Sequence, residues 1–272
     1  MSKTILITGA STGIGKATAK YFQARGWNVV ATMRTPEQET ELTQLDNVLV
    51  TRLDVLDSAS IETSVAAGLS RFGKIDVLLN NAGYGAYGPL EASSMERVRR
   101  QFDVNVMGLI ETTKAVLPHF RARHEGFVVN VSSIGGKITI PLGSLYHSTK
   151  FAIEGFSEAL HYELAAIGVR VKIIEPGAIK TDFANRSFDF QNDPDIPEYQ
   201  PMVQSLFSSF EPFLAEASPP ELVAEVIYQA VTDGSEQMRY EVGADATAFL
   251  TARRSLDDAA FFDNMKSQFC PK

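Results

Sequence analysis

Tyr146 stands four residues before Lys150, and Ser133 stands thirteen before Tyr146, closing the apolar run that opens at Phe127. If the segment from Ser144 is helical, residues four apart share a face and lie one turn apart, so Lys150 sets a fixed positive charge beside the phenol. An unperturbed phenol has a pKa of about 10, so acid–base work near pH 7 needs roughly three units, or about 4 kcal/mol, of help. A neighbouring ammonium, joined by a cationic cofactor ring, is a perturber of the right kind. Tyr-x-x-x-Lys alone is too short to be specific, and its weight depends on the elements that surround it.

Seven β-rich runs are spaced along the chain: Thr4–Thr8, Asn28–Met33, Val48–Leu53, Ile75–Asn80, Gly126–Ser132, Val169–Glu175 and Met238–Val242. Several are continuously apolar, the pattern of strands buried on both faces of a parallel sheet. Helical patterns fill the intervals. Lys16–Arg25 is closed by Gly26, Ser58–Phe72 ends before Gly73, and apolar positions keep a helical period over Met95–Phe120. This alternation predicts a doubly wound α/β Rossmann fold, a seven-stranded parallel sheet flanked by helices, as one domain over 1–272.

The alternation breaks at Ser187–Pro201, rich in Asp, Asn and Pro. An amphipathic stretch follows, with Val203, Leu206, Phe207, Phe210, Phe213 and Leu214 at helical spacing. An insertion at about 184–216 has two readings. Its helix packs on the core, or it forms a substrate lid, because it follows the sixth strand at the sheet edge where such folds bind ligands.

The glycine loop Gly9, Ser11, Thr12, Gly13, Ile14, Gly15 follows the first strand at once and opens the first helix. Unpaired N–H groups and the positive end of that helix suit a pyrophosphate. The spacing is G-x-x-x-G-x-G rather than G-x-G-x-x-G, so placement carries the assignment more than spelling. At the end of the second strand, an acid would hold a ribose 2′-hydroxyl and an Arg would accommodate a 2′-phosphate. The chain has Arg34 there and no acid until Glu37, which favours NADP(H) with NAD(H) still possible; alternatively Arg34 is a solvated surface charge.

In order and in register, these motifs resemble the short-chain dehydrogenase/reductase family, in its shorter subgroup. The likeness rests on Gly9, Gly13 and Gly15; Asp54 and Val55 after the third strand; and Asn80, Asn81, Ala82 and Gly83 after the fourth. It continues through Asn105 in mid-helix, Ser133, Tyr146 with Lys150, and Pro176, Gly177 and Thr181 after the sixth strand. It is strong from Thr4 to about Phe183 and looser beyond. Within the family, Ala31–Arg34 and Glu175–Gly177 are most similar to carbonyl reductases and to hydroxysteroid- or retinol-dehydrogenase-like members.

The resemblance implies an oxidoreductase that interconverts a ketone or aldehyde and an alcohol. Tyr146 would exchange the proton with the substrate oxygen, and Ser133 would hold and polarise that oxygen. Lys150 would lower the Tyr146 pKa and bind the nicotinamide ribose. Asn105, a poor residue for a helix interior, would distort its helix and hold a water that relays protons to Lys150. Asp54 and Val55 would lie at the adenine, and Asn81, Ala82 and Gly83 along the adenosine. Pro176, Gly177, Ile179 and Thr181 would lie near the nicotinamide. A non-catalytic dinucleotide-binding sensor or scaffold is the alternative that fold alone leaves open. The family's habit of pairing helices like Met95–Phe120 and Ser144–Ala166 implies a dimer or tetramer.

Tyr84, Tyr87, Ile140, Leu142, Phe183 and the apolar face Met202–Phe210, with Met202 and Phe207 foremost, are candidate pocket residues beside Ser133 and Tyr146; each would serve equally as core packing. As a pocket they suggest a bulky apolar ketone. His147 has no expected catalytic role, since an i+1 neighbour points about 100° away on a helix. A net charge of −8 argues against nucleic acid as partner. No stretch approaches the roughly 20 apolar residues of a membrane span. Four histidines without H-E-x-x-H spacing and the lone Cys270 suggest no metal site and no disulfide, hence a cytoplasmic protein; a strand opening at Thr4 leaves no room for a signal peptide.

Overall fold

A computed structural model describes residues 2–181 and 187–271, with all their side chains except those of 211 and 212. The strands are β1 (Thr4–Ile7), β2 (Asn28–Met33), β3 (Val48–Arg52), β4 (Val77–Asn80), β5 (Gly85–Tyr87), β6 (Gly126–Val131), β7 (Val169–Pro176), β8 (Phe188–Phe190) and β9 (Arg239–Val242). The helices are α1 (Gly13–Gln23), α2 (Ser58–Phe72), α3 (Met95–Phe102), α4 (Gly108–Arg123), α5 (Ser144–Ala165), α6 (Gln200–Ala215), α7 (Pro220–Thr232), α8 (Ala244–Ser255) and α9 (Asp258–Phe269).

Seven strands form one parallel sheet in the order β3-β2-β1-β4-β6-β7-β9. Burial of both faces accounts for the unbroken apolar runs. On β1, Ile5 and Ile7 pack with Phe22, Val223 and Ile227 of α1 and α7, while Leu6 packs with Val116, Phe120 and Leu160 of α4 and α5. The strand order reverses at β1, so the crevice between the ends of β1 and β4 is where a doubly wound sheet accepts a ligand.

Local chemistry sets the helix ends. Asp57 caps α2 by accepting from the Ser60 N–H, and Gly73 ends it at φ +77°, the left-handed geometry expected of a closing glycine. The predicted long helix over Met95–Phe120 is interrupted instead. Asp103–Met107 form a π-helical turn between α3 and α4, centred on Asn105. Such turns mark places where a side chain draws backbone out of register.

The insertion contains a strand that sequence reading missed. Phe188–Phe190 pairs in parallel with Gly85–Tyr87 as a separate two-stranded sheet. Arg97 on α3 fastens it, donating to the Tyr87 carbonyl and pairing with the Asp189 carboxylate at 2.9 Å. Downstream, α6 packs with α9, and Ile134, Ile138, Leu250, Phe261 and Phe269 form a further core beneath.

Gly15 shows why the first turn is tight. A Cβ there would lie 2.2 Å from the Gly9 carbonyl oxygen, a backbone atom that cannot step aside. At Gly73 nothing lies within 4 Å, and only the left-handed φ opposes a side chain. Gly15→Ala should cost more than about 3 kcal/mol and Gly73→Ala about 1–2 kcal/mol, read as midpoint shifts in urea denaturation. Equal losses would contradict this packing.

Candidate active site

The C-terminal ends of the sheet strands open into a cavity of about 1350 Å³, which extends from Arg34 and Asp54 at one end to Phe213 and Phe249 at the other. The glycine loop forms one wall. Thr12 stands before α1 in an extended conformation without making a side-chain cap, which leaves the first N–H groups of the helix available to a ligand. The loop is sewn to the end of β4. Asn81 Nδ2 donates to the Thr8 and Gly9 carbonyls at 2.9 and 3.1 Å, and the Asn81 and Ala82 N–H groups donate to Thr8 Oγ1.

Tyr146, Ser133 and Lys150 converge on the middle of the cavity. Ser133 lies just past the end of β6 and α5 carries the other two, so packing of α5 against β7 and the β6–β7 pairing fixes their approach. Ser133 Oγ accepts from the Gly135 N–H at 3.0 Å and is hydrogen-bonded to Tyr146. The Lys150 ammonium donates to the Val131 carbonyl at 2.9 Å and lies 5.7 Å from the centre of the Tyr146 ring. Tyr87 stacks on Tyr146 at 5.3 Å, and Phe188 lies against Tyr87 at 4.9 Å.

With no cofactor bound, burial rather than the Lys150 charge sets the direction at the phenol. Burial pushes Tyr146 up to about 12, against a smaller opposing effect of the Ser133 hydrogen bond. Lys150 is held down at about 8 by the same burial, with Glu154 one turn along working the other way. Removal from water disfavours the charged form of each group, and at this spacing it outweighs their attraction.

Asn105 belongs to the frame of the cavity. Its Oδ1 accepts from the Tyr84 N–H at 3.0 Å, and its Nδ2 donates to the Tyr84 carbonyl and to Thr149 Oγ1 at 2.8 and 3.1 Å. Thr149 in turn donates to the Tyr146 carbonyl at 2.8 Å. The side chain that disrupts the helix thereby ties the exit of β4 to the helix bearing the tyrosine.

Of the other residues singled out from sequence, Gly15, Asn80, Leu142 and Met202 do not line the cavity, and Phe183 lies outside the described residues. Gly15 is spent on helix–turn packing. Leu142 adopts a left-handed φ of +61° and uses its carbonyl to accept the Gly88 N–H at 2.7 Å. Met202 stands one helical turn before Leu206 on α6. The remaining candidates, including Arg34, Asp54, Val55, Gly83, Ile179 and Thr181, do line it. Phe210, at the end of the expected apolar face, does line it, whereas sequence reading did not place Phe188, Phe213 and Phe249 in this wall. The i, i+4, i+7 spacing of Leu206, Phe210 and Phe213 was the available signal for the α6 part. Among the described residues, no helix is long and apolar enough to cross a membrane, and no cluster of His, Cys, Asp or Glu could hold a metal ion.

The model of the short chain dehydrogenase family matches residues 3–192. An uncharacterized oxidoreductase of Schizosaccharomyces pombe is 47% identical over 236 residues, covering 87% of this chain and 99% of that one. A short-chain dehydrogenase of Streptomyces avermitilis superposes with a TM-score of 0.85 at 33% identity, over 98% of this chain and 97% of the other. ElxO with NADP bound superposes with a TM-score of 0.76 at 27% identity, over 91% and 100% of the two chains. The chain belongs to the short-chain dehydrogenase family and is an oxidoreductase.

His147 braces this site. Its Nδ1 bonds the Gly135 carbonyl at 2.9 Å and its Nε2 accepts from the Ile140 N–H at 3.1 Å, so the neutral ring clamps 135–140 to α5. Burial holds His147 down at about 4, more than the Gly135 hydrogen bond raises it. A depressed folded pKa stabilises the fold above the unfolded value of about 6.5, and that stability drains as pH falls towards 4. Wild type should therefore lose roughly 3 kcal/mol across this window. In His147→Phe that share of the slope should be missing from denaturation midpoints taken at several pH values; an identical slope would refute the clamp.

Proposed function

We propose that the protein is an NADP(H)-dependent carbonyl reductase or alcohol dehydrogenase acting on a bulky apolar ketone, as a cytoplasmic homo-oligomer. The observation that carries the reading is the meeting of Tyr146, Ser133 and Lys150 in the middle of a cavity with a glycine loop at one end and an aromatic wall at the other. The residues present fit a dinucleotide. Uncapped N–H groups at α1 suit the pyrophosphate, Asp54 and Val55 suit the adenine, and Ile179 and Thr181, which line the cavity, would hold the nicotinamide end. Bound there, a reduced nicotinamide supplies hydride to the carbonyl carbon.

The chain's own residues handle the oxygen. Ser133 holds it by hydrogen bonding, and Tyr146 passes its proton to it as the alcohol forms. Burial keeps the phenol protonated, and even so it is a stronger acid than the alcohol whose oxygen receives the proton. The Lys150 charge stabilises the phenolate left behind. Phe188, Phe207, Phe210, Phe213 and Phe249 offer the other half of the cavity only apolar contact, which favours aryl or alicyclic ketones over sugars. In this reading β8 and α6 act as the lid that excludes water, with Arg97–Asp189 as its fastening. Outward-facing Phe151 and Tyr162 on α5 support self-association through that helix.

Tyr146→Phe tests the chemistry. The variant should bind NADPH as wild type does and lose turnover of ketones such as 1-decalone or acetophenone by at least about a thousandfold. Retained turnover sinks the assignment. Cofactor choice rests on Arg34, which lines the adenosine end and makes no ion pair among the described residues. Met33→Asp with Arg34→Ala should reverse a preference for NADPH, by roughly tenfold to a hundredfold in kcat/KM ratio, the worth of one or two charge-assisted hydrogen bonds. A wild-type enzyme that already prefers NADH would remove the argument.

A further inference from the structure

Behind the catalytic face lies a second group of ionisable side chains that the reaction as described does not use. Glu154 stands on α5 one turn after Lys150, and Glu175 sits near the end of β7; their side chains are 4% and 3% exposed. Arg239 on β9 reaches both, its Nε lying 3.0 Å from Glu154 Oε2 and 3.4 Å from Glu175 Oε1. The remaining oxygen of Glu154, Oε1, is buried without a hydrogen-bond partner among the described residues. So are Glu175 Oε1, which the Arg239 contact does not satisfy, and the Ser132 hydroxyl. These groups lie around one glycine. A Cβ on Gly136 would lie 2.7 Å from Ser132 Oγ, 2.8 Å from Glu154 Cγ and 3.0 Å from the Lys150 carbonyl oxygen.

Three carboxylates, Glu154, Glu158 and Glu175, share two cations, Arg239 and Lys137, so the two buried acids cannot both ionise cheaply. The surrounding charges leave that balance in place. Lys137 lies 3.3 Å from Glu154. On β9, Glu241 pairs in register with Glu175 and is itself taken by Arg254, while Glu158 on α5 shares Lys137 and Arg239. The Glu175 carboxyl is raised, by burial first and by Glu154 second, with Arg239 and Lys137 opposing and Glu241 adding a little.

Resting on the reading of Tyr146 and Lys150 given above, we propose that Glu154 and Glu175, joined through Arg239, carry one proton between them and act as a positioning pair that keeps the Lys150 ammonium charged against its burial. The negative charge that remains faces Lys150 across one helical turn, where opposite charges support one another. A purely structural ion cluster would stabilise the fold and leave the titration of the site alone.

Infrared spectroscopy on the protein without cofactor reads the shared proton directly. Wild type at pH 7 should show a protonated-carboxyl carbonyl band that is lost in both Glu154→Gln and Glu175→Gln, because a single carboxylate left beside Arg239 ionises. The pH profile of kcat/KM for 1-decalone reduction by NADPH reads the consequence. Glu154→Gln should move the alkaline limb down by about one pH unit, and Glu175→Gln should move it the other way by leaving Glu154 fully charged. If the glutamine variants do not fold, Arg239→Gln should extend the infrared band to higher pH and shift the limb down, while Arg239→Lys restores both. Absence of the band in wild type, or an unmoved limb with only a lower melting temperature, overturns the proposal. Tyr146→Phe abolishes turnover without touching the band, so failure of the catalytic reading is distinguishable from failure of this one.

Discussion

Desolvation is the force on which this site depends. The same burial lifts the Tyr146 phenol to about 12 and lowers the Lys150 ammonium to about 8. The lysine is thereby the more readily deprotonated of the two, whereas in water their values nearly coincide. A low-dielectric pocket keeps the phenol an acid and strengthens every charge interaction the pocket retains. That condition exists only because the sheet buries both its faces and leaves polar chemistry to the loops at its strand ends.

Those loops are held by side chains whose hydrogen bonds fix backbone in place. Asn81 and Thr8 sew the glycine turn to β4. Asn105 binds the Tyr84 backbone and, through Thr149, the helix of Tyr146. His147 clamps the segment after Ser133. Each satisfies backbone groups that would otherwise be orphaned in a region with little access to water. Precision at the reacting groups follows from this second set of contacts.

Much of the fold was legible in the chain. Continuous apolar runs marked the seven strands of the main sheet to within a residue or two, and α2 falls on its expected bounds, because Asp57 and Gly73 are local stop signals. Elements that depend on distant partners were not legible. β5 and β8 are three residues each and exist by pairing across a hundred positions, with Arg97 to hold them. The π turn at Asn105 needed Tyr84 and Thr149 as partners, so the pattern alone read as one long helix.

The candidate site divides along the same line. The chain by itself determined which chemical groups are present and in what order, since the glycine loop and Ser133 follow strands, and Tyr146 and Lys150 fall in the first two turns of a helix, as local pattern reveals. It also determined the spacing that puts tyrosine and lysine on one helical face. Only the tertiary structure decided the electrostatics. Whether lysine lowers the phenol or burial raises it depends on how much water α5, Tyr87 and Phe188 exclude together. It likewise decided that Leu142 and Met202 face elsewhere and that Phe213 and Phe249 close the cavity. Such properties are sums over neighbours from many parts of the chain, and no local window of residues contains them.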